Sequence, residues 1–340
     1  MIKIKLLEKD IHRNETTFRP FLFAQHILND IGIEFTDSDD YDYAWVGQAS
    51  IIDKETTLDK SIERGVEFVS KITGDYMIID GQDATSLIGT ADVLRESKAK
   101  LFLKNSYLKD FDLYKKGWVN GRIYWGKGDY SIPDIDELKP KMKLTGCNWV
   151  GTIQPKWLEY NTIKEYDVSC MFSWGDRDNY EYLKLTSKYY DEHRKTLLET
   201  LDKTNYNVVK REAGVMIPQH QFYRNMYESK ICMAPIGYGE TAVRDIEAAS
   251  FGSVLIKPDM SYIDTKPFVY EDGETYIACK YDWSDLEEKV DYVLSNYNEL
   301  QSYITENMRR RFIEEYSPQK LALHLYEIFK NLEGVSYENN

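Results

Sequence analysis

The sequence predicts an α/β protein of two Rossmann-like domains in series, facing each other across a cleft. Three observations predict it. Apolar strands alternate with amphipathic helices along most of the chain, the pattern of a parallel sheet with helices on its faces. The alternation weakens once, around 120–163, where "VNGRIYWGKGDYSIPDIDELKPKMK" is rich in Gly, Pro and charge. The length, 340 residues, suits two domains. The expected division is 1–163 and 164–340.

The elements follow in order. "MIKIKLL" opens the chain as a strand, the polar "EKDIHRNETT" is expected as a loop, and "FRPFLFAQHILNDIG" is an amphipathic helix. "YDYAWVG" and "DYMIID" are further strands, each ending in turn residues. A second series starts at "YDVSCMFSWGDRD". The helix "YYDEHRKTLLETLDK", the strand "YNVVKRE", the helix "QFYRNMYES" and the strand "KICMAP" follow. Then come the strand "SVLIKP", the stretch "FVYEDGETYIACK" and the helix "SDLEEKVDYVLSNYNEL". The final helix, "SPQKLALHLYEIFKNL", carries Ser317 and Pro318 in capping positions.

Composition excludes some functions. A net charge of −14 argues against broad electrostatic binding of nucleic acid, which needs a basic face, while leaving room for a small basic pocket. Four cysteines without short spacing read as free thiols of a reducing compartment. No early apolar run resembles a signal peptide and no long one spans a membrane, so a cytoplasmic protein is expected. The 27 tyrosines fit core packing better than a stacking surface for sugars or bases. "FTDSDDYDY", with Asp37, Asp39 and Asp40, precedes a strand and reads as an acidic loop rather than a metal-binding Asp-x-Asp motif. No histidine pair has metal-ligand spacing.

The most informative stretch is "SKICMAPIGYGETAVRDIEAASFGSVLIKPD", residues 229–259. A buried strand runs into a loop with Gly237 and Gly239, where the backbone turns sharply or approaches something closely. The helix "AVRDIEAAS" is expected to be capped by Thr241 or Glu240 and ended by Gly252. A helix start at the end of a parallel strand offers free N–H groups and a positive dipole, which favours a phosphate. Arg244 and Glu247, three apart, share one helix face. Guanidinium and carboxylate at this spacing fit the phosphate and the paired hydroxyls of a nucleotide. They equally fit an intrahelical ion pair on a solvated face.

"GYGETAVRDIEAASFGSVLIKPD" resembles the donor-site segment of GT-B glycosyltransferases, whose pattern ends in Glu-Ala, three residues and Gly before a strand. With "SKICMAP" before it and "PFVYEDG" after it, it is most similar to the exostosin-like and CgeB-like (spore-protein) branches. The resemblance covers about 220–330. It implies a metal-independent glycosyltransferase with no cofactor, taking a nucleotide sugar (a UDP-sugar favoured) and a hydroxyl acceptor such as a glycan or glycoconjugate. The last helix is then free to return to the N-terminal domain. Glu247 would hold the ribose, Arg244 the diphosphate, and Gly237, Tyr238, Gly239, Glu240 and Thr241 would lie beside the sugar. Many such enzymes carry a second Glu eight positions earlier. That position is Gly239 here, and Glu240 is one residue off register. The loop "SWGDRDN" would approach the phosphates through Gly175 and Arg177.

An inverting transfer also needs a base. Asp83 and Asp80 in "IIDGQDATS" and His12 after the first strand are the candidates, Asp83 first, and each has an ordinary capping or loop role as its alternative. Lys210 and Arg211 could contact the base or the phosphates but better suit a solvated strand end, and Tyr124, Trp125 and Trp149 could stack on a sugar acceptor but better suit packing at the inter-domain seam. Three other functions stay open: transfer to a modified DNA base, a sugar-nucleotide epimerase or isomerase, and a non-catalytic nucleotide-sugar-binding protein.

Overall fold

The structure, a computed structural model, describes residues 1–7, 11–52, 56–81, 84–116, 131–146, 163–174, 181–237 and 239–333. The first half comprises β1 (Ile2–Leu7), α1 (Ile11–Phe23), α2 (Gln25–Asp30), β2 (Ile33–Phe35), β3 (Tyr43–Gly47), α3 (Gln48–Ile51), α4 (Leu58–Ser70), β4 (Asp75–Asp80), α5 (Thr90–Glu96), β5 (Leu101–Lys104), β6 (Ser106–Leu108), α6 (Asp112–Lys116), α7 (Ile135–Leu138) and β7 (Met142–Leu144). The second comprises β8 (Tyr166–Cys170), α8 (Glu181–Leu201), β9 (Val208–Lys210), α9 (Gln219–Tyr227), β10 (Ser229–Met233), α10 (Val243–Ser250), β11 (Val254–Pro258), β12 (Ile263–Thr265), β13 (Ile277–Cys279), α11 (Leu286–Ser295), α12 (Tyr297–Glu315) and α13 (Pro318–Glu333).

Two parallel sheets result, ordered β2-β1-β3-β4-β5-β7 and β13-β11-β10-β8-β9. Both use the doubly wound order in which the second strand lies outside the first and the third lies inside it. The expected pair of Rossmann-like domains is present. Strand sequences are apolar on both faces because both faces are covered. In the first sheet Ala44, Val46, Tyr76, Ile78 and Phe102 point into one cluster. Their neighbours Trp45, Met77, Ile79 and Leu103 point into the opposite one.

That opposite cluster is completed by the end of the chain. Leu321, Ala322, Leu325, Ile328 and Phe329 of α13 pack on Trp45, Phe18 and Phe21 of the first half. The last helix does return to the N-terminal domain. A second tie is β12, which pairs antiparallel with β6 (Ile263↔Leu108, Thr265↔Ser106), so main-chain hydrogen bonds cross between the halves.

Several elements differ from expectation, and the helix expected over 284–300 is two, α11 and α12, parted at Asn296. The polar stretch expected as a loop is already helical at Ile11, which places His12 in the first turn of α1 rather than in a loop. "HRNETT" lacks apolar periodicity but contains no Gly or Pro. The segment from Phe18 to Phe21 is anchored in the core, and extending its helix backwards costs little once nucleated. Strands β2, β5, β6, β7 and β12 are not singled out in the sequence. β2, β6, β7 and β12 are only three residues long, too short to show a period.

Candidate functional site

In a doubly wound sheet, ligands sit beyond the carboxyl ends of the strands where the order reverses. In the second sheet that point lies between β8 and β10. The loops leaving these strands are 171–174 and 234–242, and the second is the glycine-broken segment singled out from sequence.

The segment after β8 is ringed by arginines from three places in the chain. Arg244 Nε, in the first turn of α10, donates to the Met171 carbonyl at 3.1 Å. Arg194 of α8 donates to the Ser173 carbonyl. Arg211, after β9, donates to Ser173 Oγ at 3.1 Å and is itself bound to the Val215 carbonyl. The guanidiniums of Arg194 and Arg244 lie over the buried Phe172 ring, 5.7 and 5.9 Å from its centroid. Contact with an aromatic face helps to hold a guanidinium in place. In a chain of net charge −14, this is a local concentration of positive charge at a helix start.

Gly237 has a steric reason to be glycine. A Cβ there would stand 2.6 Å from Arg194 Nη2. The close approach expected of this loop is therefore to Arg194, which sequence reasoning missed. Nothing local in "DEHRKTLLETL" marks Arg194 apart from other helix-surface cations.

Glu247 is one turn along α10 from Arg244. Burial pushes its carboxyl above the ordinary value of 4.5, Arg244 and the Tyr223 hydroxyl pull it back, and Asp245 adds to the rise. Tyr223, on α9, also accepts a hydrogen bond from Gln219 Nε2 at 2.8 Å. Glu247 is thus not a solvated helix residue. It is a half-buried carboxylate beside a guanidinium.

The start of α10 is fixed from beneath. Asp245 Oδ2 accepts from the Ala242 N–H at 3.1 Å, from Lys257 Nζ at 2.5 Å and from the Tyr270 hydroxyl at 2.6 Å. The N-terminal residue is Ala242, held by Asp245, so the expected capping by Thr241 or Glu240 does not occur. Gly252 does end the helix, with φ +65. The Gly252 N–H bonds the Ala249 carbonyl and the Ser253 N–H bonds the Ala248 carbonyl.

Glu240 points away from the loop's open side. It is 1 % exposed, and its two carboxylate oxygens accept from the Thr85 N–H (2.9 Å) and the Thr85 hydroxyl (2.7 Å), which belong to the first half of the chain. Its carbonyl accepts from Lys257 Nζ at 2.9 Å. Gly239 and Thr241 on either side are buried too.

In the first half, Asp80 and Lys104 end β4 and β5. Asp80 is buried and paired with Lys104 Nζ at 2.7 Å. Asn105 Nδ2 donates to the Gly81 carbonyl (2.7 Å), and the Thr145 hydroxyl donates to Asn105 Oδ1 (2.8 Å). Asp80 therefore sits in an internal ion pair. Asp83, Gly175, Arg177, Tyr238, Tyr124, Trp125 and Trp149 lie outside the described residues, as does the side chain of His12. Lys210 pairs with Asp202 at the surface. Asp39 and Asp40 pair with Lys5 and Lys3. Among the described residues no group of three or more His, Cys, Asp or Glu could hold a metal ion, and no helix is long and apolar enough to cross a membrane.

No protein-family model matches the chain, and no curated protein matches it in sequence. Solved structures do match in fold. The chain is similar to sucrose-phosphate synthase from Thermosynechococcus elongatus, with 12 % identity and a TM-score of 0.51, covering 99 % of this chain and 100 % of that one. This is a likeness of the two-domain fold. Two others, at TM-scores too low to add to it, are a glycosyltransferase from Rickettsia africae (15 % identity, 0.42, covering 98 % and 99 %) and T4 phage BGT in complex with UDP and Mn2+ (14 %, 0.46, covering 98 % and 100 %).

Proposed function

We propose that this chain is a metal-independent glycosyltransferase. It moves a sugar from a nucleoside diphosphate sugar, a UDP-sugar favoured, to a hydroxyl acceptor on a glycan or glycoconjugate. The observation that carries this reading is the arginine ring. Arg194, Arg211 and Arg244 surround the loop after β8 at the start of α10, with Glu247 one turn further along. A diphosphate would take the guanidinium edges and the helix N-terminus. The ribose diol would donate to Glu247, an acceptor-only group when ionised. Cations of this kind offset the charge that builds on a departing nucleoside diphosphate, which is what a metal ion does in other transferases.

In this reading residues 164–340 hold the donor and residues 1–163 the acceptor, with the base from the loop after β4. Asp83 is preferred for that role over Asp80, whose carboxylate is paired with Lys104. The narrower affinity with exostosin-like and CgeB-like enzymes rests on the sequence segments "SKICMAP", "RDIEAASFGSVLIKPD" and "PFVYEDG" alone.

A thermal-shift panel of UDP, GDP, ADP, CMP and their sugar conjugates tests the reading, run on the wild type and on Glu247→Ala. A ligand that binds only the folded state raises its apparent stability by mass action. One nucleotide family should raise the melting temperature of the wild type, the variant should lose that rise, and EDTA should leave it unchanged. If no nucleotide shifts the folded wild type, the donor site is refuted.

A further inference from the structure

Glu240 stands in the loop assigned above to the donor, yet no part of its carboxylate faces the cleft. Both oxygens are taken by Thr85, and the residue is 1 % exposed. Thr85 is held in turn: its carbonyl accepts from the hydroxyl of the buried Tyr114 at 2.7 Å. On the other side, Lys257 Nζ binds both the Glu240 carbonyl and Asp245, the residue that fixes the first turn of α10. A continuous line of buried hydrogen bonds thus runs from Tyr114 through Thr85, Glu240, Lys257 and Asp245 to the helix that carries Arg244 and Glu247.

We propose that Glu240 is a positioning residue and not a sugar ligand: clamped by Thr85 from the opposite domain, it sets Gly239, Thr241 and the start of α10 in the geometry that receives the nucleotide. The inference rests on the donor-site reading. Its physical basis is the cost of an unmet buried carboxylate. If the two domains part at this seam, each oxygen loses a Thr85 donor, so the closed arrangement and the loop conformation are favoured together. The β6–β12 ladder allows this by keeping the halves joined nearby.

The test uses full-length protein and the first of UDP, GDP and ADP that the wild type binds, together with its glucose conjugate. Affinities are measured by calorimetry for Thr85→Val, Thr85→Ser, Glu240→Gln and the double variant Thr85→Val/Glu240→Gln, each checked for native circular dichroism. A positioning role predicts that Thr85→Val and Glu240→Gln both weaken the free nucleotide and its glucose conjugate by the same factor, roughly three- to thirtyfold. Thr85→Ser, which keeps the hydroxyl, stays near wild type, and the double variant is no weaker than the worse single one. Should Thr85→Val fail to fold, Glu240→Gln alone separates the roles, because a sugar ligand would lose affinity for the conjugate and leave the free nucleotide unchanged. That result, or a folded Thr85→Val that binds as the wild type does, overturns the inference while the donor site stands. A wild type that binds none of the three nucleotides overturns the donor reading and the inference with it.

Discussion

Arg194 and Arg244 stand on different helices, and their guanidiniums share one phenyl ring, that of Phe172 at the end of β8. Each guanidinium also holds a carbonyl of the segment after β8, Arg194 that of Ser173 and Arg244 that of Met171. Like charges gathered at one segment favour an anion beside them.

Arg194→Ala and Arg244→Ala are each expected to weaken nucleoside diphosphate binding by about tenfold to a hundredfold, the scale of a lost hydrogen bond to a charged group. Lysine at either position should recover little of it, since an ammonium neither stacks like a guanidinium nor offers a fork of donors. Calorimetric titration at two salt concentrations checks both, and an affinity unaffected by either change removes the arginine from the site.

Gly237→Ala should reproduce the Arg194 phenotype with little loss of stability. The new methyl group meets the far end of a flexible side chain, so the guanidinium moves and the backbone does not. Folding stability should change by no more than about 1 kcal/mol, as at sites without core damage, while affinity falls. A melting curve and a titration on the same preparation decide it.

Glu247 should give opposite pH trends in folding and in binding. Its folded pKa is raised, so its contribution to stability is full below the unfolded value of 4.5 and is lost as pH rises through the raised value. Glu247→Gln should therefore melt higher than the wild type at about pH 8 and gain nothing at about pH 4. Binding runs the other way, because the ribose needs the ionised acceptor. Affinity for a nucleotide sugar should fall as pH drops through the Glu247 pKa, and the variant should lose that dependence. A variant with the wild-type pH profile of binding would count against the ribose contact.

Asp80→Asn tests whether the Asp80–Lys104 pair is structural. Removing one partner leaves a buried ammonium without its counter-charge, at a cost of about 3–5 kcal/mol, visible as a lower denaturant midpoint. If transfer activity vanishes while the midpoint stays put, Asp80 belongs to the chemistry and the preference for Asp83 is wrong.

What the sequence determined by itself was local. The two alternating series and the helix "AVRDIEAAS", ended by Gly252, are written in residues near one another, because period and turn chemistry act over a few positions. The Arg244–Glu247 face was legible for the same reason: three residues apart on a helix is one side of it. Tertiary structure decided everything that depends on strand order. Only the placing of β8 beside β10 and β9 brings Arg194 and Arg211 to Arg244. Glu240, read as part of a sugar loop, is turned by a donor 155 positions earlier in the chain. Helix α1 begins in residues with no apolar period, because its anchor in the core lies beyond them. A side chain's direction and partner are set by non-local packing, and one sequence read alone contains the elements but not the contacts between them.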